Sequence, residues 1–374
     1  MVRWPKVTIV VLHYDSVSLL GGLVNKHIQS LLDTDYPDFE VLMVDNGSHD
    51  ATANFLESIC ASNKRFVLTR LDENVGFSRA NNIGASLADK ATSYLVFLNN
   101  DTVVTKSWLR ELVRALEGLP DVAAAQSKLL TMNGRLEGLG DFVDRYGYPM
   151  TIGSGVIGTQ VPLSGFVNIF SARGACFIIR KHLFHSAGGF DELFPLAVQD
   201  VDLGWRLRLM GHQIICVLDS VVYHVGGATV GHSKKLGIPY RDYILLILKD
   251  LNLGSLSRQL WLALGSSAIA SIMLLVRQPQ RLRALLGLAQ RFIGAMRVAL
   301  GRRTSVPSGR HPRALDEVMI PCNLLALEIV NRIRWHLSGL ESHSYEEFWL
   351  QQVAIVHAFR SSVLNTIQNV RHVK

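Results

Sequence analysis

One stretch limits what this chain can fold into more than any other. Residues 92–101, TSYLVFLNND, form an unbroken apolar run that stops at two amides and a carboxylate. A run that does not alternate with polar residues is buried on both faces, which among strands means the interior of a parallel sheet covered by helices. Its polar residues then fall at the carboxyl end of the strand, where open α/β sheets bind their ligands. Asp101 is therefore the first candidate for a metal or cofactor ligand, against the plainer reading of a polar turn after a strand.

The sequence before and after this run repeats the same unit. Residues 7–14 (VTIVVLHY) read as a β-branched strand, and 18–32 carry the apolar spacing of a helix. A second strand at 39–44 runs into Asp45-Asn46-Gly47-Ser48, where Asn-Gly turns the chain and Ser48 is placed to cap a helix at 51–60. A strand at 65–71 leads to a helix at 77–88, and the strand at 94–98 to a helix at 106–117. Four strand-to-helix units in succession predict an α/β, Rossmann-like parallel sheet with helices on both faces. No GxGxxG follows the first strand, which argues against a dinucleotide-dependent hydride transfer.

Farther along, the pattern loosens. Residues 128–165, rich in Gly, Asp and Tyr, are expected to form a long loop that shapes a second substrate's pocket. A strand at 174–180, a turn at 188–192, the acidic QDVD at 199–202, a helix at 203–210 and short strands at 214–218 and 221–223 bring the chain to His224. The opening MVRWPKVTIVVLHY has no small-residue cleavage site, so no signal peptide is expected. Four cysteines without CxxC spacing point to buried thiols in a reducing compartment.

A net charge of +7 fits nucleic acid, an anionic membrane or a phosphorylated substrate, and its distribution decides among them. Residues 251–315 contain no Asp or Glu but ten arginines, from Arg258 to Arg313, interleaved with Leu, Ile and Ala rather than with stacking aromatics. That pattern argues against nucleic acid. The uncharged run 259–276 is at the short edge for a spanning helix, and the arginines behind it resist export. Residues 284–300 separate arginines from Leu, Phe and Met as an interfacial helix does. The expectation for 240–374 is a mostly helical region on the cytoplasmic membrane surface; a span, or a soluble helical tail or oligomer contact, are the alternatives.

Asp45, Asp101, Asp200 and His224 fall at or just past the carboxyl ends of predicted strands, which converge on one crevice. Asp45 suits a hydrogen bond from a base or ribose. Asp101 and His224 suit a hard divalent ion bridging a diphosphate, and Asp200 suits a general base. Arg79 and Arg206 suit phosphate charge or a pair with Asp202. Each has a structural alternative: Asp45 as a turn former, His224 as a satisfied core histidine, Asp200 and Asp202 as carboxylates favoured at a helix N-terminus.

The ordered set VVLHYDS (10–16), VDNGSHD (44–50), ENVGFSRANNIG (73–84), FLNND (97–101), GGFDELF (188–194), QDVDLGWRLRLMG (199–211) and VVYHVGG (221–227) resembles glycosyltransferase family 2. Within it, the similarity is to rhamnosyltransferase-like enzymes of cell-surface polysaccharide assembly. The resemblance implies a GT-A fold over 1–239, with a nucleotide-sugar half at 1–127 and an acceptor half at 128–239. It also implies a nucleotide-diphosphate sugar donor, a glycan or polyprenyl-linked saccharide acceptor, inversion at the anomeric carbon, and Mg²⁺ or Mn²⁺. On the matching positions, Tyr14, Asp45, Asn46, Asn74, Gly76, Arg79, Asn82, Asn99, Asn100 and Asp101 would line the donor site. Asp101 and His224 would hold the ion and Asp200 would be the base, while Asp191, Glu192, Gln199, Asp202 and Arg206 would face the acceptor.

Three departures stand out. Asn99 and Asn100 replace acidic residues common in the family, and His13 stands where asparagine is common. Gln199 replaces the glutamate before the base, so the rise in pKa that a like charge would give Asp200 is expected to be lost. Gln199 is the best support for the alternative of a non-catalytic nucleotide-sugar or carbohydrate-binding scaffold. A nucleotidyltransferase would need a Gly-rich basic loop where residues 12–20 read LHYDSVSLL.

Overall fold

A computed structural model of the chain describes residues 4–144, 149–151, 164–194, 198–226, 245–246, 249, 301 and 319–320. The helical membrane region expected at 240–374, its span alternative and Cys322 lie almost wholly outside the described residues. Among these, no helix is long and apolar enough to cross a membrane.

The first half follows the predicted units. Strands β1 (Val7–His13), β2 (Phe39–Asn46), β3 (Phe66–Leu71) and β4 (Tyr94–Asn99) alternate with α1 (Ser16–Leu20), α2 (Gly22–Leu32), α3 (Thr52–Ser62) and α4 (Phe77–Leu87). The predicted helix at 18–32 is two helices, because Gly21 takes a φ of 53° that breaks the first after one turn. A short β5 (Thr102–Val104) precedes α5 (Trp108–Gly118).

The second half departs from the expected loop. Residues 122–131 form β6 (Val122–Thr131), and β7 (Leu136–Gly138), β8 (Asp141–Asp144) and β9 (Pro149–Thr151) follow. The sequence VAAAQSKLLT has little intrinsic strand preference, but β6 lies between β11 (Cys176–Arg180) and β12 (Gln213–His224), and pairing on both sides overrides propensity. β10 (Phe166–Asn168) follows β9. Two helices complete this half: α6 (Lys181–Ser186) was not foreseen, and α7 (Gln199–Leu209) begins earlier than predicted, with Asp200 and Asp202 in its first turn. The two short strands before His224 are one, bulged between Val217 and Val221.

The main sheet runs β10-β12-β6-β11-β4-β1-β2-β3. β4, β1, β2 and β3 are parallel, whereas β11 is antiparallel to both β4 and β6. Register brings the polar ends together: His13 lies beside Asp45, and Leu12 beside Asn99. Cys176 opposes Leu98, so the start of β11 reaches the same edge. His224 opposes Thr102, so the end of β12 reaches it as well.

Both faces of the sheet are packed, as the non-alternating strands require. Ile9, Val11, Met43 and Leu98 face one core with Trp108 and Leu112, while Val10, Val44 and Phe97 face the other with Phe177, Leu203 and Leu207. Phe97 joins the halves: its ring centroid is 4.9 Å from those of Phe184 and Phe190 and 5.3 Å from that of Phe177.

Candidate active site

The loops after β1, β2 and β3 interlock at the polar edge. Asp45, buried at the end of β2, accepts from the Ser48 amide at 3.1 Å and has Arg70 Nε 3.7 Å away. Asn46 accepts from the Val75 amide and donates to Asn74 Oδ1, which also accepts from the Gly76 amide. Gly47 is required here, since a Cβ would lie 2.5 Å from the Glu73 carbonyl carbon. Ser48 does not cap α3. Its hydroxyl accepts from the Asp15 amide, and Asp50 accepts from the Thr52 amide instead.

Around this frame, Tyr14 stands edge-on to His49. Arg79 is exposed in the first turn of α4 with no ion-pair partner among the described residues. Asn82 does not share this environment: its amide binds the Phe190 N–H and C=O, clamping the turn after α6. Behind the crevice, Asn100 donates to Ser16 Oγ, which lies 3.1 Å from His13 Nδ1. His13 and His27 are buried and neutral: loss of hydration lowers them to about 3 and about 4.

Asp101 and His224 meet as predicted. Asp101 Oδ1 lies 3.0 Å from His224 Nε2, and Asn99 Nδ2 lies 3.5 Å from the same nitrogen. His224 Nδ1 is 2.7 Å from Glu137 Oε2. A carboxylate on Nδ1 makes that nitrogen a donor, the outer-shell arrangement that raises a histidine's basicity toward a metal. Burial works against charge on the ring, but the bonds to Asp101 and Glu137 outweigh it and raise His224 to about 9. At that value the ring is protonated and Nε2 donates to Asp101, so a divalent ion held by this pair would take the place of the Nε2 proton. Among the described residues no cluster offers three or more ligating side chains.

Asp200, the base expected from the sequence, lies against the segment that leads into β11. Asp200 Oδ2 accepts from the Gly174 amide at 3.1 Å and Oδ1 from the Val201 amide at 2.9 Å. The carboxyl group is pushed up to about 6, first by enclosure and then by the charge of Asp141, against the pull of the two amides and Arg173. The expected loss of like-charge tuning is thus corrected: Gln199 supplies none, and Asp141 does. Arg173 lies 3.5 Å from Glu137 and 3.9 Å from Asp141, while its amide is held by Gln126.

Glu137, Asp141 and Arg173 were missed in the sequence. The only signal was three charges flanking Gly-rich sequence, and short strands without periodicity left their positions open. On the acceptor side, Asp202 is fully buried, bound by Arg206 at 2.6 and 2.9 Å and by Lys249, which also reaches Asp191 at 2.8 Å. Asp202 therefore anchors α7 rather than accompanying the base. Glu192 is exposed beside this group, and a cavity of about 530 Å³ opens among Asn82, Phe190, Asp191, Glu192, Arg206 and Lys249. Neither Asp101 nor Asp200 lines it. Gln199 is buried, and its Oε1 has no hydrogen-bond partner among the described residues.

Residues 8–186 match the protein family described as Glycosyl transferase family 2. Over 248 residues the chain is 35% identical to the O-antigen biosynthesis protein RfbC of Myxococcus xanthus, covering 64% of this chain and 19% of that protein. Over 190 residues it is 24% identical to the poly-beta-1,6-N-acetyl-D-glucosamine synthase of Staphylococcus aureus (strain COL), covering 50% and 43%. The chain thus spans less than half the length of either relative. In fold it is similar to GalNAc-T7, solved with UDP, GalNAc and Mn²⁺, at a TM-score of 0.54, 15% identity and coverage of 66% of this chain and 48% of that one. It is also similar to the mannosyltransferase PcManGT of Pyrobaculum calidifontis, in complex with GDP-Man and Mn²⁺, at 0.50, 16% and coverage of 81% and 85%.

Proposed function

The chain carries a glycosyl transferase family 2 domain on a GT-A-like α/β fold, and from that premise we propose that it is an inverting, metal-dependent glycosyltransferase. It moves rhamnose or a similar hexose from a nucleotide-diphosphate sugar to a hydroxyl of a glycan or polyprenyl-linked saccharide. The observation that carries this reading is the pairing of Asp101 with His224 at the sheet edge that Asp200 also reaches through Gly174.

In this reading residues 1–127 hold the donor and 128–239 present the acceptor. Asp45, Asn46, Asn74 and Gly76 shape the nucleotide pocket with Tyr14, and Arg79 meets diphosphate charge. Asp101 and His224 would hold Mg²⁺ or Mn²⁺, which would supply charge stabilisation for the departing nucleotide diphosphate. Asp200 takes the proton of the acceptor hydroxyl as that oxygen attacks the anomeric carbon and the bond to the diphosphate breaks. Its raised pKa suits the role, because a base with a pKa near 6 is ionised at neutral pH yet more basic than an ordinary carboxylate. Residues 240–374, with their arginines, would seat the enzyme on the cytoplasmic face of the membrane, near a lipid-linked acceptor.

The test is transfer of labelled sugar from a panel of nucleotide sugars to extracted polyprenyl-linked acceptors, with Mg²⁺ or Mn²⁺, by wild type and Asp200→Asn. The expected outcome is transfer from one donor, lowered about 10²–10⁴-fold by the substitution. Metal-dependent binding of a nucleotide sugar without transfer to any acceptor would favour the scaffold reading.

A further inference from the structure

We propose that Asp141 is a positioning carboxylate for the base, supplying from β8 the like-charge neighbour that Gln199 does not. The inference rests on the reading of Asp200 as general base.

One short segment fixes both carboxylates. Asp141 donates its amide to the Ser171 carbonyl at 3.0 Å, and its own carbonyl accepts from the Phe170 and Ser171 amides. Two residues farther on, Arg173 Nε stands 3.9 Å from Asp141 Oδ1, and the next amide, Gly174, holds Asp200. Helix α7 is seated on the same segment through Gly204, where a Cβ would come within 2.4 Å of Ser171 Cβ. Asp141 and Asp200 therefore keep their relation through this backbone segment, with Thr151 Oγ1 donating to Asp141 Oδ1 at 2.7 Å.

The charge balance explains why the neighbour is felt. Among the described residues, the charges that act most on Asp200 are Asp141 from β8 and Arg173 from the segment before β11. Arg173 is shared with Glu137 of β7, so its one positive charge is divided among three carboxylates. On its own helix, Asp202 is already neutralised by Arg206 and Lys249. The Gly174 and Val201 amides favour the ionised base, and enclosure with Asp141 opposes them. A glutamate at 199 would add a buried carboxylate next in sequence to Asp200. Gln199, with Oε1 buried and without a partner among the described residues, fits a site whose like charge comes from elsewhere.

The experiment is the pH dependence of kcat/KM for sugar transfer by the full chain, in wild type, Asp141→Asn, Gln199→Glu and the double variant. Asp141→Asn should move the acidic limb down by about one pH unit, giving roughly fivefold more relative activity one unit below the wild-type limb. Gln199→Glu should move it up, and the double variant should return it toward wild type. Should Asp141→Asn lose its circular-dichroism signature, Asp141→Ser tests the same charge with a smaller side chain. A folded neutral variant whose limb does not move overturns the role of Asp141 alone, provided Asp200→Asn abolishes transfer. Full transfer by Asp200→Asn overturns the base reading and this inference with it.

Discussion

The two halves of the sheet reach one edge by different means. In the parallel half, the polar residues are positioned locally: a strand ends, a tight turn follows, and Asp45, Asn46 and Asn74 bind backbone within and between adjacent loops. In the mixed half, Glu137, Asp141, Arg173 and Asp200 come from separate short strands, a connecting segment and a helix, and only together define a site. The residues proposed to bind nucleotide are thus placed by local motif, whereas the surroundings of the proposed base, Asp200, are placed by topology.

If the halves share one core at Phe97, breaking it should damage both. Phe97→Ala is expected to cost about 3–5 kcal/mol, because the ring fills space among Phe177, Phe184 and Phe190. Denaturant unfolding checks this, and two separate transitions would mean that the halves are independent. The next effect sharpens the boundary between them. Glu137→Gln removes the carboxylate on His224 Nδ1 and should weaken Mn²⁺ binding about 10–100-fold. Mn²⁺ titration by electron paramagnetic resonance measures it.

The smallest effect at neutral pH belongs to the buried histidines. Their folded pKa values lie below the ordinary 6.5, so the unfolded state binds more protons as pH falls. The stability they contribute is present above about 6.5 and is lost as pH drops toward the folded values of about 4 and 3. His27→Gln should flatten the loss by about 1.4 kcal/mol per pH unit within that window. Urea melts at pH 7 and pH 5 give the comparison, and an unchanged slope would remove His27 from the account.

The same contrast governs what the sequence revealed. Strand β4 was legible because an unbroken apolar run has one home in an α/β fold, and Asp101 and His224 followed from strand ends. The pair of Asp202 with Arg206 was readable from their i,i+4 spacing, whereas Lys249, far along the chain and closing on the same carboxylate, was not. β6 was hidden by its alanines, and without it the strands bearing Glu137 and Asp141 had no register. Gln199 pointed to a missing charge, and the charge that replaces it lies on a strand that no periodicity announced.

In the proposed mechanism a donor grip from one half and a base from the other meet without depending on each other. Calorimetric titration of Asp200→Asn and wild type with UDP, GDP and dTDP in Mn²⁺, alongside transfer by the same preparations, tests it most directly. The account predicts that the nucleotide bound by wild type is bound by the variant within about threefold, a difference under 1 kcal/mol, while transfer collapses. Transfer that survives in Asp200→Asn, or nucleotide binding lost together with it, would contradict the account.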